Sequence, residues 1–129
     1  MQLSARMERL ASKVPYGSRL ADVGTDHGYI PIALVLGGRI SFAVAMDVNP
    51  GPLKRAEEHI RGQKLSAYIE TRLSDGLTAL RAGEADTVLI AGMGGALTVR
   101  ILKGGAHCLC DVKELILQPQ SEIHLVRKW

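Results

Sequence analysis

The stretch Leu20-Ala21-Asp22-Val23-Gly24-Thr25-Asp26-His27-Gly28-Tyr29-Ile30-Pro31 decides the fold of this chain. It begins with a short apolar run that predicts a buried strand and continues through a turn bounded by two glycines. It ends in the first turn of a helix, the part of a helix that tolerates a proline. In open α/β sheets, a turn of this kind after the first strand is where nucleotide-like ligands bind. The stretch therefore predicts an α/β fold with a ligand site at the carboxyl end of its first strand.

The glycine spacing departs from the dinucleotide-binding pattern G-x-G-x-x-G. Asp26 stands where that pattern has its second glycine, whose missing side chain lets the backbone approach a pyrophosphate. A carboxylate there would repel a pyrophosphate, whereas Asp22 and Asp26 together suit a ligand that carries positive charge beside an adenosine. S-adenosylmethionine (SAM), with its sulfonium and its amino group, has that chemistry. A merely structural turn is the alternative, because glycine-bounded turns with an acidic residue are common.

Strands and helices are predicted to alternate along the rest of the chain. A helix over 3–14 comes first, and further helices follow from near Tyr29, after Asn49-Pro50, after Gly95 and from a cap at Ser121 to Trp129. The predicted strands are 19–23, 42–47, 68–72, 87–91 and 114–117. Such alternation is typical of right-handed βαβ units, which build a parallel sheet with helices on both faces.

The unusual residues of the chain follow these strands. Asp47 lies 23 residues beyond Gly24, a spacing at which an acid reaches the ribose hydroxyls of an adenosine cofactor. Asp75 could lie near an adenine amino group, although Asp75-Gly76 is equally consistent with a plain turn. The glycines of 92–95 bring the backbone close to whatever lies over the strand end. Because the carboxyl ends of parallel strands share one edge of the sheet, we expect these residues to converge there.

Composition sets limits on the class of protein. A chain of 129 residues with 47% apolar and 22% charged residues is typical of one globular domain. Because Arg6, Glu8 and Arg9 interrupt any apolar run at the start, we expect no signal peptide. No run approaches the ~20 apolar residues of a membrane span, so we expect a cytoplasmic protein without a membrane partner. Cys108 and Cys110 are too few for a disulfide scaffold or a zinc site, and we expect reduced cysteines and no metal.

The charge balance is compatible with a polyanionic partner. The net charge is +3, and the first predicted helix carries Arg6, Arg9 and Lys13 opposite its apolar stripe. Such a face could contact nucleic acid, but a solvated face is the commoner explanation.

Three stretches together resemble the bacterial TrmK family of SAM-dependent tRNA (adenine(22)-N1)-methyltransferases. They are 22–31 (D-V-G-T-D-H-G-Y-I-P), 90–95 (I-A-G-M-G-G) and 115–120 (L-I-L-Q-P-Q). The resemblance extends over the whole chain, from Leu3-Ser4-Ala5-Arg6 to Arg127-Lys128-Trp129. It implies a Rossmann-like fold of the class I SAM-dependent methyltransferases, SAM as the cofactor and tRNA as the partner.

The resemblance also implies roles for individual residues. The turn 22–28 would surround the methionine part of SAM, Asp47 would bind its ribose, and Asp75-Gly76 would lie near its adenine. The full set implied for the cofactor is Asp22, Gly24, Thr25, His27, Gly28, Asp47, Val48, Asp75, Gly76, Ala91, Gly92 and Met93. Family members are longer, with two further strands and a C-terminal helical domain. We therefore expect 1–129 to be the SAM-binding domain without those C-terminal parts.

Methylation of adenine N1 needs positioning more than proton transfer, because N1 carries an in-plane lone pair. A carboxylate near the adenine amino group would stabilise the charge that reaches the ring, and Asp26 is the candidate. Tyr29 could stack on the extruded base or pack in the core, and His27 could contact the cofactor, an RNA phosphate or only its neighbours. The expected phosphate contacts are Arg6, Arg9, Lys13 and Arg19.

Two other functions stay open on the sequence. An NAD(P)-binding oxidoreductase domain is one, since Asp47 would serve NAD equally well. A module that binds SAM or RNA without turnover is the other.

Overall fold

The apolar runs of this chain form one parallel sheet in a computed structural model that describes residues 3–121. The strands are β1 Arg19–Val23, β2 Phe42–Asp47, β3 Ile69–Leu73, β4 Thr87–Gly94 and β5 Glu114–Ser121. The helices are α1 Ala5–Ser12, α2 Tyr29–Leu36, α3 Pro50–Gly62, α4 Gly95–Gly104 and α5 Ala106–Leu109. The sheet order is β3-β2-β1-β4-β5, and every pair of neighbouring strands is parallel. The order reverses between β1 and β4, which is where open α/β sheets bind ligands.

Side chains alternate between two buried layers. Leu20, Leu89 and Ile116 point to the layer covered by α1, α2 and α3. Val23, Val88 and Ile90 point to the opposite layer, which residues of α4, α5 and the segment before β4 cover. Both faces of the sheet are therefore buried, and this explains why β2 is apolar almost throughout.

The predicted elements agree with the structure most closely at the start of the chain. The predicted strands 19–23 and 42–47 are confirmed without change, and the third strand is shifted by one residue. Both β4 and β5 are longer than predicted, because their ladder continues through irregular pairing after Ala91. The short helix α5 was not predicted. Ser121 ends β5, and the helix predicted after it, like Arg127-Lys128-Trp129, lies outside the described residues.

Helix α1 is fixed to the sheet by its cap and its apolar stripe. The Ser4 hydroxyl accepts a hydrogen bond from the Met7 N–H at 3.2 Å, and Leu10 and Val14 are buried. This places the N-terminal turn of α1 above the carboxyl edge of β1. Within residues 3–121, no helix is long and apolar enough to cross a membrane. Cys108 is buried and Cys110 exposed, both as free thiols.

Candidate cofactor and active site

The loop after β1 is held against β2 by its backbone. The N–H groups of Gly24 and Thr25 both donate to the carbonyl oxygen of Met46, each at 2.9 Å. Gly24 and Gly28 have φ values of +73° and +75°, which glycine adopts without strain. Asp26 has a φ of +56°, which is uncommon for a residue with a side chain and is concentrated at functional sites.

Two buried carboxylates lie under this loop. Asp22 is 5% exposed and accepts a hydrogen bond from the Thr25 hydroxyl at 2.8 Å. Burial raises the pKa of Asp22 to about 6; the hydrogen bond from Thr25 opposes this rise, and the charge of Asp47 adds to it. Asp47 accepts hydrogen bonds from the N–H groups of Asp26 (3.2 Å) and Asn49 (3.0 Å). The acid at the end of β2 therefore fixes the backbone of Asp26.

A first cavity of about 270 Å³ opens beside Asp22. One wall is the N-terminal part of α1 with Arg6, Met7 and Leu10, and the opposite wall contains Asp22 and Asp26. The cavity thus presents one cation and two carboxylates. That combination suits a ligand that carries both an ammonium and a carboxylate, such as the end of an amino acid.

A second cavity of about 140 Å³ lies on the other side of Gly24. It is mainly apolar and is lined by Val23, Gly24, Asp47, Val48, Ser74, Asp75, Gly76, Met93, Leu97, Arg100 and Ile101. Its Ser74 hydroxyl donates to the carbonyl of Gly76 at 2.8 Å and accepts from the N–H of Ala79 at 3.1 Å, which shapes the loop after β3.

The two cavities share Val23 and Gly24. A Cβ atom at Gly24 would lie 2.5 Å from Cε of Met93, so the methionine packs directly on this glycine. An elongated ligand that reaches from one cavity to the other would pass over this contact. The charged end of such a ligand would lie in the first cavity, and a planar ring system at its other end would lie in the mainly apolar second cavity.

Three aromatic rings pack together beside the first cavity. The centroid distances are 5.1 Å for His27 and Tyr29, 5.6 Å for His27 and His59, and 5.7 Å for Tyr29 and His59. Nδ1 of His59 also lies 2.9 Å from the carbonyl oxygen of His27, and Nε2 of His27 lies 3.6 Å from a carboxylate oxygen of Asp26. His59 was not predicted, because only the packing of α3 against the loop brings it there.

Two buried side-chain atoms lack a hydrogen-bond partner among residues 3–121. They are Nδ1 of His27, in the loop after β1, and Oε1 of Gln118, which lies in β5 where its regular pairing with β4 ends. Buried polar atoms without partners are rare in folded proteins and each calls for an explanation. Both residues lie toward the carboxyl ends of their strands, the side on which open α/β sheets bind ligands.

The structure brings most of the predicted site residues together. Those lining the first cavity are Arg6, Asp22, Gly24, Thr25, Asp26, Tyr29, Ala91 and Gly92, and those lining the second include Gly24, Asp47, Val48, Asp75, Gly76 and Met93. Sequence reasoning missed Ser74, Leu97, Arg100 and Ile101 as lining residues. The last three lie on the first two turns of α4. Because residues 97 and 101 are four apart and share one face of that helix, their spacing could have indicated that they line the same surface.

Five predicted residues line neither cavity. Gly28 instead allows α2 to approach α3, since a Cβ there would lie 3.3 Å from Cβ of Ala56. His27 belongs to the aromatic cluster, Arg9 is exposed on α1, and Lys13 is exposed directly after that helix. Arg19 lies at the amino edge of the sheet, with its guanidinium 4.2 Å from the Phe42 ring centroid and its Nε donating to the Glu84 carbonyl at 3.1 Å.

Comparison with known proteins places this geometry in context. The family described as a methyltransferase domain matches residues 3–129. The tRNA (adenine(22)-N(1))-methyltransferase of Bacillus subtilis is 39% identical over 129 residues, which are 100% of this chain and 54% of that protein. The chain thus spans about half the length of the curated relative that it matches.

Solved structures of related proteins have the same fold. Bacillus subtilis TrmK, an m1A22 tRNA methyltransferase, superposes with a TM-score of 0.92 at 39% identity over 99% of this chain and 55% of that chain. A Streptococcus pneumoniae protein in complex with SAM gives 0.96 at 41% identity, over 99% and 60% of the two chains. M. capricolum TrmK in complex with S-adenosyl-homocysteine gives a TM-score of 0.80 at 33% identity, over 91% of this chain and 52% of that chain. The predicted Rossmann-like fold and the resemblance to TrmK are confirmed.

Proposed function

Since this chain belongs to the methyltransferase-domain family, we propose that it binds SAM and transfers the methyl group to N1 of an adenine in tRNA. The observation that carries the proposal is the buried carboxylate of Asp22, which faces a cavity shared with Arg6 and pairs with no basic side chain within residues 3–121. A cationic amino group would complete this arrangement. Relatives whose names specify SAM complexes and tRNA (adenine(22)-N(1)) methylation support the choice of ligand and substrate.

The two cavities divide SAM between them in this proposal. Asp22 binds the ammonium of the methionine part, and Arg6 binds its carboxylate rather than an RNA phosphate, because Arg6 lines the same cavity as Asp22. Asp47 binds the ribose hydroxyls, and the loop at Asp75 binds the adenine. The remaining residues of the proposed cofactor site are Gly24, Thr25, His27, Gly28, Val48, Gly76, Ala91, Gly92 and Met93.

Bound SAM would supply a methyl group on a sulfonium. The N1 lone pair of adenine would form the new N–C bond while the C–S bond breaks and its electron pair stays on sulfur. No proton has to leave the base in this transfer. The protein's part is therefore to position the base and to stabilise the charge that reaches the ring. Asp26 is the proposed carboxylate near the adenine amino group. Its backbone is fixed by the hydrogen bond to Asp47, and its side chain lines the first cavity.

The RNA partner reaches this site from solvent. A target base in structured tRNA has to leave its stack, which costs a few kcal/mol, and Tyr29 at the cavity wall is the proposed stacking partner. Arg9, exposed on the helix that carries Arg6, and Lys13, exposed directly after that helix, are the proposed phosphate contacts. A tRNA substrate would place the protein in the cytoplasm, as the sequence analysis predicts.

The test has two stages that separate the competing functions. Calorimetric titration with SAM and with NADH comes first: we expect SAM to bind and NADH not to bind, and the reverse result would indicate a nicotinamide-dependent enzyme. Methyl transfer from labelled SAM to unmodified tRNA comes second, with a tRNA that carries guanine in place of the target adenine as control. Binding of SAM without transfer to either tRNA would overturn the enzymatic proposal.

The role of Asp26 has its own comparison. We expect Asp26→Ala to lower the turnover number for tRNA while the Kd for SAM changes little. Asp111→Ala, which removes an exposed carboxylate at the other end of the fold, serves as the matched control. Full turnover by Asp26→Ala would remove Asp26 from the catalytic role.

A further inference from the structure

Gln118 has a buried amide oxygen that no other part of the proposed function uses. Its Oε1 has no hydrogen-bond donor among residues 3–121, although the residue as a whole is only partly buried. Leaving a buried carbonyl oxygen unpaired costs free energy. The oxygen itself is buried, so a partner from outside the fold reaches it only after rotation about the last side-chain torsion, which is broad for glutamine.

The fold places Gln118 beside the first cavity. In the β4–β5 ladder its register partner is Ala91, which lines that cavity. Side chains alternate along β5, so Gln118 lies on the same face of the sheet as Ile116, which packs in the layer that also contains Leu10 and Leu20. Asp22, two residues beyond Leu20 on β1, shares this face as well. The amide and the proposed cofactor carboxylate thus lie on one face, two strands apart in the sheet.

The ladder itself changes at this position. Directly after the pair of Ala91 and Gln118, the register between β4 and β5 shifts, and Pro119 has no N–H to donate. Shifts of this kind are frequent beside active sites, where they re-aim a side chain or end the pairing. The pairing of β4 with β5 therefore becomes irregular directly after the residue whose amide oxygen lacks a partner.

We propose that Gln118 binds the Hoogsteen edge of the target adenine, with Oε1 accepting from the N6 amine and Nε2 donating to N7. This proposal rests on the proposed function. A glutamine amide has one acceptor and two donors, and bidentate pairing with N6 and N7 is its usual contact with adenine. The pairing leaves N1 free for the methyl group, since N1 lies on the opposite side of the amine. Guanine has an acceptor, O6, where adenine has the N6 donor, so the same amide disfavours guanine.

The contact would also assist the reaction. Methylation at N1 leaves a positive charge on the ring, and this charge makes the N6 amine a stronger hydrogen-bond donor. A hydrogen bond to Oε1 of Gln118 is then stronger in the transition state than in the ground state, which is the condition for catalysis. Asp26, on the side of β1, would accept the other N6 hydrogen.

The first test leaves the protein unchanged. A tRNA carrying 7-deazaadenine at the target position lacks the N7 acceptor, and we expect the wild-type kcat/KM to fall roughly 3- to 10-fold with this substrate. Gln118→Leu should lower kcat/KM for ordinary tRNA roughly 5- to 150-fold and should show no further loss with the 7-deaza substrate. A purely structural role for Gln118 would leave the sensitivity to N7 in place.

Two variants complete the design. Gln118→Glu keeps an acceptor for N6 but places a carboxylate oxygen against the N7 lone pair, so its kcat/KM should not fall with the 7-deaza substrate. Gln63→Leu makes the same chemical change at an exposed residue after α3 and should behave like the wild type. Equal wild-type rates on both tRNAs, or a loss in Gln118→Leu that leaves its N7 sensitivity intact, would overturn this proposal. Absence of methyl transfer by the wild type would instead overturn the proposed function.

Discussion

At the scale of single residues, the buried carboxyl of Asp22 links ligand binding to stability, because the ionised form that would bind a cation costs free energy in the folded chain. Burial raises the pKa of this carboxyl to about 6, yet the proposed ammonium partner binds only the ionised form. We therefore expect the Kd for SAM to rise roughly tenfold for each unit that the pH falls below about 6, and to level off near pH 7. Calorimetric titrations between pH 5 and pH 7.5 measure this. A Kd that stays flat over that range would contradict the role of Asp22.

The same pKa predicts the stability of the ligand-free protein. A carboxyl whose pKa is higher in the folded than in the unfolded chain stabilises the fold while protonated, and this contribution is lost as the pH rises from about 4 to about 6. Asp22→Asn retains an oxygen for the Thr25 hydroxyl without the buried charge. At pH 7.5 we expect its free energy of unfolding to exceed the wild-type value by up to about 3 kcal/mol, and at pH 4 to show no gain.

Urea unfolding at both pH values, together with SAM titration, tests this prediction. The variant should bind SAM more weakly than the wild type and without a pH dependence. If Asp22→Asn is less stable than the wild type at both pH values, the carboxylate serves the fold and is not reserved for a ligand.

Gly24 and Gly38 offer a matched pair, because their φ values are +73° and +72°. A Cβ atom added at Gly38 has no other atom within 4 Å. A Cβ atom added at Gly24 would contact the Met93 side chain, at the point where the two cavities join. We expect Gly38→Ala to cost about 1–2 kcal/mol of backbone strain without changing the Kd for SAM. Gly24→Ala should show the same strain and, in addition, raise that Kd at least about tenfold. Urea unfolding and calorimetry separate the two effects, and an unchanged Kd for Gly24→Ala would place the ligand elsewhere.

Single residues also show where sequence reasoning stops. The sequence identified three acidic residues of the site, Asp22, Asp26 and Asp47, because few acidic residues follow apolar strands. The distance of Asp47 from Gly24 along the chain also indicated a ribose contact. Arg6 looked like any cation on an amphipathic helix, and only the packing of α1 over β1 shows that it shares a cavity with two of those acids. The unpaired amide of Gln118 is likewise a property of packing, which no local pattern records.

At the scale of elements, an ion-pair network joins β3 to the segment before β4. Arg72 on β3 donates to the Glu84 carboxylate at 2.7 and 2.8 Å and to the carbonyl of Ala79 at 2.8 Å. The hydrogen bond from Arg72 lowers the pKa of Glu84 to about 2. The network closes the loop that carries Ser74 and Asp75, so it also supports the second cavity.

We expect Glu84→Gln to lower the free energy of unfolding by about 1–2 kcal/mol at neutral pH. Because the pKa of Glu84 is lower in the folded chain, its contribution is complete above about pH 4.5 and is lost as the pH falls toward 2. The gap between wild type and variant should therefore narrow in acid. The exposed pair of Arg61 and Glu57 supplies the control, and Glu57→Gln should change stability by less than about 0.5 kcal/mol. Equal effects of the two variants would contradict a structural role for the network.

The elements differ in how well the sequence predicts them, and the cause is physical. β1 and β2 are apolar runs with both faces covered, bounded by glycines and polar residues, so their limits are visible locally. The ends of β4 and β5 depend on pairing with each other through a shifted register, which a single sequence does not reveal. Helix α5 has four residues and is held by the loop contacts around Gly105, too short for a periodic pattern to indicate it.

At the scale of the whole molecule, the acidic groups and the exposed basic groups near the carboxyl edge occupy different surfaces. The carboxylates of Asp22, Asp26 and Asp47 gather at the loop where the proposed cofactor binds. The chain nevertheless carries a net charge of +3, and on α1 the cation Arg6 lines the first cavity while Arg9 is exposed on the same helix. A polyanion such as tRNA would be attracted to the exposed cations. It would then present its target base to the loop that carries the carboxylates. The proposed cofactor and the proposed RNA substrate would therefore approach one edge of the sheet without competing for the same charges.

The salt dependence of tRNA binding tests this arrangement. Each phosphate that a cation neutralises releases counterions, so log K falls linearly with log salt, with a slope that grows by about one for each contact. We expect Arg9→Ala to weaken tRNA binding and to reduce the slope by about one, while the Kd for SAM stays unchanged. Lys113→Ala removes an exposed cation at the amino edge, beside the start of β5, and should leave the slope as it is. If the Lys113 variant changes the slope and the Arg9 variant does not, tRNA approaches the opposite edge, and the proposed placement of the target base beside Asp26 fails with it.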